Sequence, residues 1–340
     1  MKKILTVSIA AYNMERFLKQ ALDSFVADKR TMDLLQVIIV NDGSRDRTAA
    51  VAQQYADRYP DTFLLVNKEN GGYGSTINTS IRQAAGKYFR TVDGDDWVNT
   101  RGLEQFIRLL EQCDSDMVLT KYMEVEEGSG RKKVADGGYL YDGIEKKFEE
   151  LQLNKTIGMH HAAFKTELFR MHGIQITEHC FYTDMEYNLK PAAFVQTVTC
   201  MDIVLYMYRT GRQGQSVSLE SWHKNIDQAL QVSLGLADYW EKIHKNTCAG
   251  SAQKHYIRNG ALDSVKAKYR LLLTMPDSEA AKRKCMQYDK KLMEISPFLY
   301  QAAGHVKERR YRYAVQLLRK TGFSLYGLIA FLYKKTIMQK

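Results

Sequence analysis

The fold of this chain is decided by the stretch Gly86-Lys-Tyr-Phe-Arg-Thr-Val-Asp-Gly-Asp-Asp-Trp97. Its first half contains aromatic and β-branched residues, such as Tyr88 and Val92, and it leads directly into three aspartates. This pattern is typical of a buried strand that ends in a carboxylate cluster. Three carboxylates within four residues repel one another, so a folded protein tolerates them best in solvent or around a cation. The alternative is a polar turn into a helix that Asp96 or Asn99 caps.

The aspartates of this cluster are Asp93, Asp95 and Asp96. Carboxylate oxygens on a loop are hard ligands that suit Mg²⁺ or Mn²⁺, and such a metal commonly binds together with a diphosphate. Gly94 lets the backbone turn between them without a Cβ clash. The first interpretation of the cluster is therefore a divalent metal site with a diphosphate beside it.

The composition is ordinary for a globular protein of 340 residues, with 45% apolar and 26% charged residues. This length predicts a main domain and an accessory region.

Met1-Lys-Lys runs directly into a strand-like segment, so we expect no signal peptide. No run of about 18 to 20 apolar residues predicts a membrane-spanning helix. The five cysteines are scattered without CxxC spacing, which predicts reduced cytosolic thiols and no zinc site.

The formal net charge of +10 is unevenly distributed along the chain. The first 100 residues have mixed signs, whereas roughly the last 90 are rich in Lys and Arg. A basic tail of this kind suits nucleic acid, an anionic membrane surface or an acidic polymer, and it also keeps a helical region in solution. We predict no nucleic-acid partner.

Strands and helices alternate along the first third of the chain. Strands are predicted at 5–11, 37–40, 63–66 and 86–93, and helices at 15–27, 46–59 and 75–85. This alternation predicts right-handed crossovers and a mostly parallel sheet covered on both faces. Further strands are predicted at 116–122, 160–164 and 198–208, with helices at 166–171 and 184–193. Because the pattern is helical from Trp222 onward, we predict an α/β domain at 1–220 and a helical region at 221–340.

The four predicted strands of the first third all end in polar, turn-prone residues. These ends are Ala11-Tyr12-Asn13, Asn41-Asp42-Gly43, Lys68 to Gly74, and Asp93 to Asp96. Ligands of parallel α/β sheets bind at the carboxyl ends of the strands, so the four clusters are expected to converge on one edge.

In this order the motifs resemble those of the inverting family 2 glycosyltransferases with the GT-A fold. The resemblance covers roughly residues 1 to 220 and implies a Rossmann-like, mostly parallel sheet flanked by helices. The matching pieces are Val7-Ser-Ile-Ala-Ala-Tyr-Asn13, Val40-Asn-Asp-Gly-Ser-Arg-Asp-Arg-Thr48, Asn67-Lys-Glu-Asn-Gly-Gly72, the carboxylate stretch, Phe181-Tyr-Thr-Asp-Met-Glu186, Leu205-Tyr-Met-Tyr-Arg209 and Gly214-Gln-Ser216.

The resemblance implies a nucleotide diphospho-sugar over the strand ends. The donor site would be lined by Ala11, Tyr12, Asn13, Asp42, Asn70 and Gly71. Within it, Tyr12 and its neighbours would surround uracil, and Asp42 would accept hydrogen bonds from the base. The alternative for Asp42 is a turn residue that caps the next helix.

The same resemblance assigns the groups around the diphosphate. Asp93 would contact the ribose, and Asp95 would hold the Mn²⁺ or Mg²⁺ ion. Asp96 would act behind the metal ligand or on the acceptor side. Arg209 would bind phosphate oxygens, or alternatively close a salt bridge on the sheet edge.

An inverting transferase also needs a carboxylate base, which takes the proton of the acceptor hydroxyl. The family writes this base as the second acid of a Glu-Asp pair. This chain has Thr183-Asp184, so the resemblance assigns Asp184, with Glu186 as the fallback. The structural alternative for Asp184 is the N-cap of a helix over 185–193. His160 and His161, being adjacent on a predicted strand, are expected to point to opposite faces.

The last third of the chain lies outside the resemblance. Its apolar run Phe323 to Tyr333 is followed by Lys334-Lys335. Eleven helical residues span about 16 Å, which is too short to cross a bilayer. The run suits either the interface of an anionic leaflet or a packing surface on the main domain or a second subunit.

Together these features predict a metal-dependent inverting glycosyltransferase that uses a UDP-sugar to extend a cell-surface or exopolysaccharide glycan. The acceptor would be a glycan or a lipid-linked sugar. The predicted location is the cytoplasm, including the inner face of the plasma membrane. Two rivals remain open at this point: a sugar nucleotidyltransferase, and a catalytically silent sugar-binding or scaffold protein on the same fold.

Overall fold

The computed structural model describes residues 2–151, 153, 155–212, 218–245, 249–276 and 278–337. The chain forms two compact units, Met1–Gln213 and Gly214–Lys340. The sequence-based boundary lies at 220/221. The motif Gly214-Gln-Ser216 lies outside the described residues.

The first unit contains a ten-stranded sheet. Its strands are β1 Leu5–Ala11, β2 Leu35–Asp42, β3 Phe63–Lys68, β4 Tyr88–Asp93, β5 Trp97–Val98, β6 Met117–Glu126, β7 Lys132–Ala135, β8 Glu145–Lys147, β9 Ala162–Lys165 and β10 Thr197–Thr210. Its helices are α1 Leu18–Asp23, α2 Lys29–Leu34, α3 Thr48–Arg58, α4 Tyr73–Gln83, α5 Thr100–Leu110, α6 Thr166–Met171 and α7 Asp184–Ala192, with a 3₁₀ turn at Phe148–Leu151.

The sheet is mixed but has a parallel half in which the strand ends meet. The strand order is β3-β2-β1-β4-β9-β6-β10-β5, and the first four strands are all parallel. Strand β9 is antiparallel to both β4 and β6, whereas β6 and β10 pair in parallel. Because parallel strands end at the same edge, the prediction that the four polar clusters converge is confirmed.

The central strands are buried because helices cover the sheet. Strand β2 is buried at every position except Gln36. Its core sequence Val37-Ile-Ile-Val40 is apolar on both faces, as expected for a parallel strand between two helical layers. The prediction of an α/β fold with a mostly parallel core is therefore confirmed.

Several predicted elements differ in their limits. The helix predicted at 15–27 is shorter in the structure, where α1 covers Leu18–Asp23. Helix α2 lies beyond it and begins after Asp28, whose side chain accepts a hydrogen bond from Thr31 N (2.8 Å). Helix α5 follows the carboxylate cluster, as the alternative interpretation of that stretch predicted, and Asn99 caps it: Asn99 Oδ1 accepts from Gly102 N at 3.3 Å. Capping bonds thus fix where these two helices begin.

The prediction that His160 and His161 point to opposite faces of a strand is wrong. Strand β9 begins only at Ala162, and the two histidines lie in the preceding turn. Both rings contact the Tyr122 ring, with centroids 5.0 and 4.8 Å away. A turn does not alternate its side chains as a strand does, so both rings reach one aromatic cluster.

A buried cation lies beside this cluster. Arg90, on β4, is 1% exposed, donates to Thr120 Oγ1 (3.1 Å) and to the carbonyl oxygen of His160, and lies over the Tyr206 ring. Burial, together with the charges of His161 and Arg90, lowers the pKa of His160 to about 3. The ring of His160 is therefore neutral in the folded protein at physiological pH.

The described residues of the second unit form helices joined by short turns. Its helices are α8 Leu219–Lys224, α9 Ile226–His244, α10 Ser251–Thr274, α11 Ser278–Ile295, α12 Pro297–Ala303, α13 Arg309–Lys320 and α14 Tyr326–Ile337. Arg319 joins three of them, since its Nε donates to Asp289 (2.8 Å) and its Nη2 to Tyr269 Oη (2.9 Å). Across the described helices, none combines the length and apolar character that spanning a bilayer requires.

Replacing Gly74 with alanine should destabilise the first unit. An added Cβ would overlap the carbonyl oxygen of Thr177, which is a backbone atom that cannot rotate away. We expect the free energy of unfolding to fall by about 1–3 kcal/mol, measured by urea denaturation of the intact chain. In the control Gly158→Ala, the new Cβ would meet ring atoms only at 3.8 Å, so its midpoint should stay close to the wild-type value. Equal midpoints for the two variants would contradict the close packing of Gly74.

Replacing His160 with phenylalanine should reduce the amount by which the free energy of unfolding falls in mild acid. Below the ordinary histidine pKa of about 6.5, the unfolded chain binds a proton that the folded His160 does not bind, so falling pH favours unfolding. We expect this residue to account for about 1–2 kcal/mol of the loss between pH 6.5 and 5.0.

The measurement is urea denaturation of wild type and variant at both pH values. His160→Phe should lose less stability than wild type on acidification. The exposed His305 is the control, because His305→Phe should leave the loss unchanged. Identical losses in wild type and His160→Phe would show that this ring is protonated in the folded state.

Candidate active site

The centre of the site is the carboxylate cluster that follows β4. Asp93, Asp95 and Asp96 each offer an oxygen within 4.8 Å of the others. Asp93 pairs with Ala10 of β1, and Ala11 pairs with Asn41 of β2. Asp42 therefore lies two strands away from Asp93, about 10 Å at the usual strand spacing.

Asp96 is fixed by β10 and is the most buried of the three acids, at 2% exposure. Its Oδ2 accepts from Tyr206 Oη (2.6 Å) and its Oδ1 from Arg209 N (2.7 Å). The Tyr206 oxygen also accepts from Asp93 N at 3.2 Å. Both carboxylate oxygens of Asp96 thus hold β10 against the cluster.

Asp95 faces two arginines. Arg212 contacts its Oδ2 through Nε (3.0 Å) and Nη2 (2.8 Å). Arg209 donates from Nε to the backbone oxygen of Asp95 (2.8 Å) and from Nη2 to Gln20 (2.7 Å). Its guanidinium also lies 4.9 Å from the Trp97 ring centroid. Two cations are therefore held next to the carboxylate that the sequence assigned to metal.

The electrostatics of the cluster fit a cation. Burial, and then the charge of Asp95, raises the pKa of Asp93, and burial with the charges of Asp93 and Asp95 raises that of Asp96. Asp93 Oδ1 is buried and, among the described residues, has no hydrogen-bond partner. An orphaned carboxylate oxygen beside Asp95 is a suitable ligand for Mg²⁺ or Mn²⁺. Asp93 and Asp95 are therefore the residues that could hold the metal.

Asp42 holds the glycine turn before α4. Its Oδ1 accepts from Gly71 N (2.9 Å) and Lys68 Nζ (2.7 Å), and its Oδ2 accepts from Gly72 N (2.8 Å). Asn70 Nδ2 donates to the backbone oxygen of Asp42 at 2.8 Å. Asp42 is only 3% exposed, so its observed role is to shape this wall of the site. The predicted bond from Asp42 to a nucleotide base stays a prediction.

The end of β1 forms the neighbouring wall. Ala11 is buried, whereas the Tyr12 side chain is 44% exposed above the strand ends. Asn13 has a positive φ of 55°, and its backbone N–H donates to Ser44 Oγ at 3.0 Å. Its side-chain oxygen accepts from Arg45 N (2.9 Å), which ties the loop after β1 to the loop after β2. An exposed aromatic ring next to a fixed turn can stack on a planar ligand.

Asp184 lies at the first residue of α7 and close to the cluster. Burial is the main cause that raises the pKa of Asp93 and of Tyr73, and the charge of Asp184 adds to both shifts. Glu186, the fallback base, is fully buried and accepts from Thr177 N (2.6 Å) and Thr177 Oγ1 (2.9 Å). A buried carboxylate committed to those bonds does not face a ligand, which leaves Asp184 as the carboxylate of this helix that can.

Three residues near the cluster were not identified from the sequence. The charges of Asp93 and Asp184 both act on the Tyr73 hydroxyl. Burial, and then the charge of Asp93, raises the pKa of this hydroxyl. Tyr206 and Arg212 contact Asp96 and Asp95 directly. Tyr206 belongs to the quoted motif Leu205-Tyr-Met-Tyr-Arg209, so it could have been found, whereas nothing in the sequence around Arg212 indicates its partner.

Comparisons with known proteins identify relatives in sequence and in fold. A sequence model of Glycosyl transferase family 2 matches residues 6–173. EpsJ of Bacillus subtilis (strain 168), described as an uncharacterized glycosyltransferase, is 27% identical over 219 residues, which is 61% of each protein. This chain thus covers less than two thirds of that relative's length.

Solved structures show the same fold. Residues 1–349 of S. aureus TarS, crystallised with UDP-GlcNAc, have a TM-score of 0.69 at 16% identity, covering 98% of this chain and 92% of that one. The mannosyltransferase PcManGT of Pyrobaculum calidifontis, in complex with GDP-Man and Mn²⁺, has a TM-score of 0.52 at 17% identity, covering 98% and 87%. Residues 6–173 thus resemble glycosyl transferase family 2 in sequence, and the chain shares its fold with these two solved structures.

Proposed function

We propose that this chain is a metal-dependent inverting glycosyltransferase that moves a sugar from a UDP-sugar to a hydroxyl of a cell-surface or exopolysaccharide glycan. The observation that carries the proposal is the carboxylate cluster at the strand ends, where Asp93, Asp95 and Asp96 offer oxygens within 4.8 Å of one another. The charge of Asp184, which acts on Asp93, supports that residue as the separate base. A metal-binding carboxylate pair and a separate carboxylate base are what a single displacement at a sugar carbon requires.

The donor would lie over the ends of β1, β2 and β4. Tyr12 and Asn13 would line the base pocket beside Ala11, and the turn with Asn70 and Gly71 would form its far wall. TarS was crystallised with UDP and with UDP-GlcNAc, which supports a uridine nucleotide for this chain. The rival nucleotidyltransferase would need a glycine-rich loop after the first strand, where this chain has Ala10-Ala-Tyr-Asn13.

The metal would be held by Asp95, with Asp93 next to it, and the ribose is the predicted partner of Asp93. When bound, a divalent cation neutralises charge on the leaving diphosphate. PcManGT was crystallised with Mn²⁺, which supports this class of ion. Arg209 and Arg212 lie at Asp95 and would bind phosphate oxygens as the diphosphate leaves.

Asp184 would act as the general base. The acceptor oxygen forms a bond to the anomeric carbon while the bond from that carbon to the diphosphate oxygen breaks, and UDP leaves. The proton of the acceptor hydroxyl passes to the Asp184 carboxylate. Attack opposite to the leaving group inverts the anomeric configuration, so no covalent sugar–enzyme bond is needed.

Binding of UDP should depend on a divalent cation and on Asp95. We expect Mn²⁺ to tighten UDP binding about tenfold or more, because a cation held by Asp95 would neutralise charge on the diphosphate. Asp95→Asn should bind UDP with no benefit from Mn²⁺, measured by titration calorimetry. The control Asp114→Asn, whose side chain is 80% exposed, should behave as wild type. If wild-type UDP binding were indifferent to Mn²⁺, the catalytically silent sugar-binding protein would be the better assignment.

The variant Asp184→Asn should show whether this residue acts in UDP binding or in the catalytic step. We expect this variant to keep wild-type UDP affinity and to lose about 10²–10⁴-fold in rate, since general-base catalysis contributes that much. The assay is UDP release from a panel of UDP-sugars, with water as the acceptor, which also identifies the donor. Asp202→Asn is the control, because that side chain is 68% exposed and pairs with Lys121. Loss of UDP affinity in Asp184→Asn would assign this residue to the donor pocket instead of the base.

A further inference from the structure

Helix α14 carries apolar side chains on two opposite faces. One face packs into the second unit through residues at helical spacing, which are Tyr326, Ile329, Ala330 and Tyr333. The Tyr326 hydroxyl donates to the backbone oxygen of Leu272 at 2.6 Å, so this face is anchored on α10. Helix α14 is thus held in the second unit by this face, and its second apolar face takes no part in that packing.

The second face is exposed. It is formed by Leu325 just before the helix and by three residues within it, with exposures of 43% for Leu325, 57% for Leu328, 62% for Phe331 and 52% for Leu332. Amphipathic surface helices normally present polar residues on the outer side, and a contiguous apolar patch marks an interaction site. The outer face of α14 is therefore suited to an apolar environment.

Basic residues accompany this apolar face. Residues 307–340 contain nine Lys or Arg and one Glu. Lys335 lies one turn beyond Phe331 on the exposed side of α14, and Lys320 ends the neighbouring helix α13. Arg309 and Arg310 at the start of α13 are exposed as well, and the same helix exposes Tyr313 at 54%.

Two other basic residues of α13 and α14 hold the unit together. Arg319 is bound to Asp289 and Tyr269, and Lys334 donates to the backbone oxygen of Met275 at 2.7 Å. Lys320 and Lys335 remain at the surface. The outer side of α13 and α14 therefore combines leucine and aromatic side chains with exposed positive charge.

We propose that this basic-apolar face of α13 and α14 binds the surface of an anionic lipid bilayer. An apolar stripe with Lys and Arg beside it is the pattern of helices that lie in the headgroup interface. A helix of twelve residues spans only about 18 Å, so it lies along the interface and does not cross the bilayer. A second copy of this chain is the less suitable occupant, because it would bring the same positive charges together.

The proposal is independent of the catalytic assignment. It follows from the exposure and charge of the second unit alone, whereas the transferase proposal follows from the carboxylates of the first. If both hold, a lipid-linked acceptor sugar and the enzyme would be concentrated at one surface.

The test is co-sedimentation of the full chain with vesicles. Phosphatidylcholine vesicles containing about 30% phosphatidylglycerol should bind the wild type well, and pure phosphatidylcholine vesicles should bind it at least tenfold less. The double variant Leu328→Ser with Phe331→Ser should bind the anionic vesicles more than tenfold less tightly than the wild type. Lys320→Glu with Lys335→Glu should weaken binding by a similar factor, and more so at low salt.

Two control double variants in the first unit test whether vesicle binding depends on α13 and α14 in particular. Leu109→Ser with Met171→Ser removes exposed apolar side chains from the first unit, at 42% and 76% exposure. Lys132→Glu with Lys133→Glu removes exposed charge from β7. Both control variants should bind vesicles as the wild type does, and unchanged circular dichroism should confirm that all four double variants are folded.

Three results would overturn the proposal. The first is wild-type binding that does not distinguish anionic from neutral vesicles. The second is equal binding by wild type and Leu328→Ser with Phe331→Ser. The third is a dimer in gel filtration that this same variant dissociates, without any vesicle binding by the wild type, since the face would then belong to a second copy of the chain.

Discussion

The repulsion among Asp93, Asp95 and Asp96 is the constraint on which the rest of the first unit depends. Their ligand oxygens lie within 4.8 Å of one another at the end of a buried strand. Such an arrangement is unfavourable unless donors and cations surround it. The chain supplies them from strand β10 and the residues just after it, through the Tyr206 hydroxyl, the Arg209 backbone N–H and the Arg212 guanidinium. The carboxylates after β4 and the donors on and after β10, which are distant in sequence, therefore meet at one edge of the sheet.

The neighbouring walls of the site are built by the same means. Asp42 is neutralised by Lys68 and by two backbone N–H groups of the glycine turn, so a buried carboxylate shapes a loop without needing a ligand. Glu186 likewise holds the segment before α7 in place, by accepting hydrogen bonds from the backbone N–H and the hydroxyl of Thr177. Acids that shape the site are therefore satisfied internally, whereas Asp93 keeps an oxygen with no partner among the described residues. That difference separates structural acids from candidate ligands.

The two units differ in what they present to their surroundings. The first unit presents carboxylates and arginines at a sheet edge, which suits a charged small ligand. The second presents exposed leucines and lysines on α13 and α14, which suits an apolar surface with negative charge beside it. The net positive charge of the chain lies in the second unit, because residues 307–340 alone carry nine basic residues and one acid. Charge and exposure thus favour a separate class of partner for each unit.

The sequence by itself predicted the resemblance to the family 2 glycosyltransferases through its motifs. It also predicted the parallel core and the convergence of four strand ends, because apolar periodicity and strand order are local or topological properties. It also named Asp93, Asp95 and Asp184 before any distance was known. Only the tertiary structure decided the partners of each charge, such as Arg212 on Asp95, since these contacts join residues more than a hundred positions apart. It likewise placed His160 and His161 in one cluster and shortened the first predicted helix to Leu18–Asp23. Packing and capping bonds fix those details, and no local pattern encodes them.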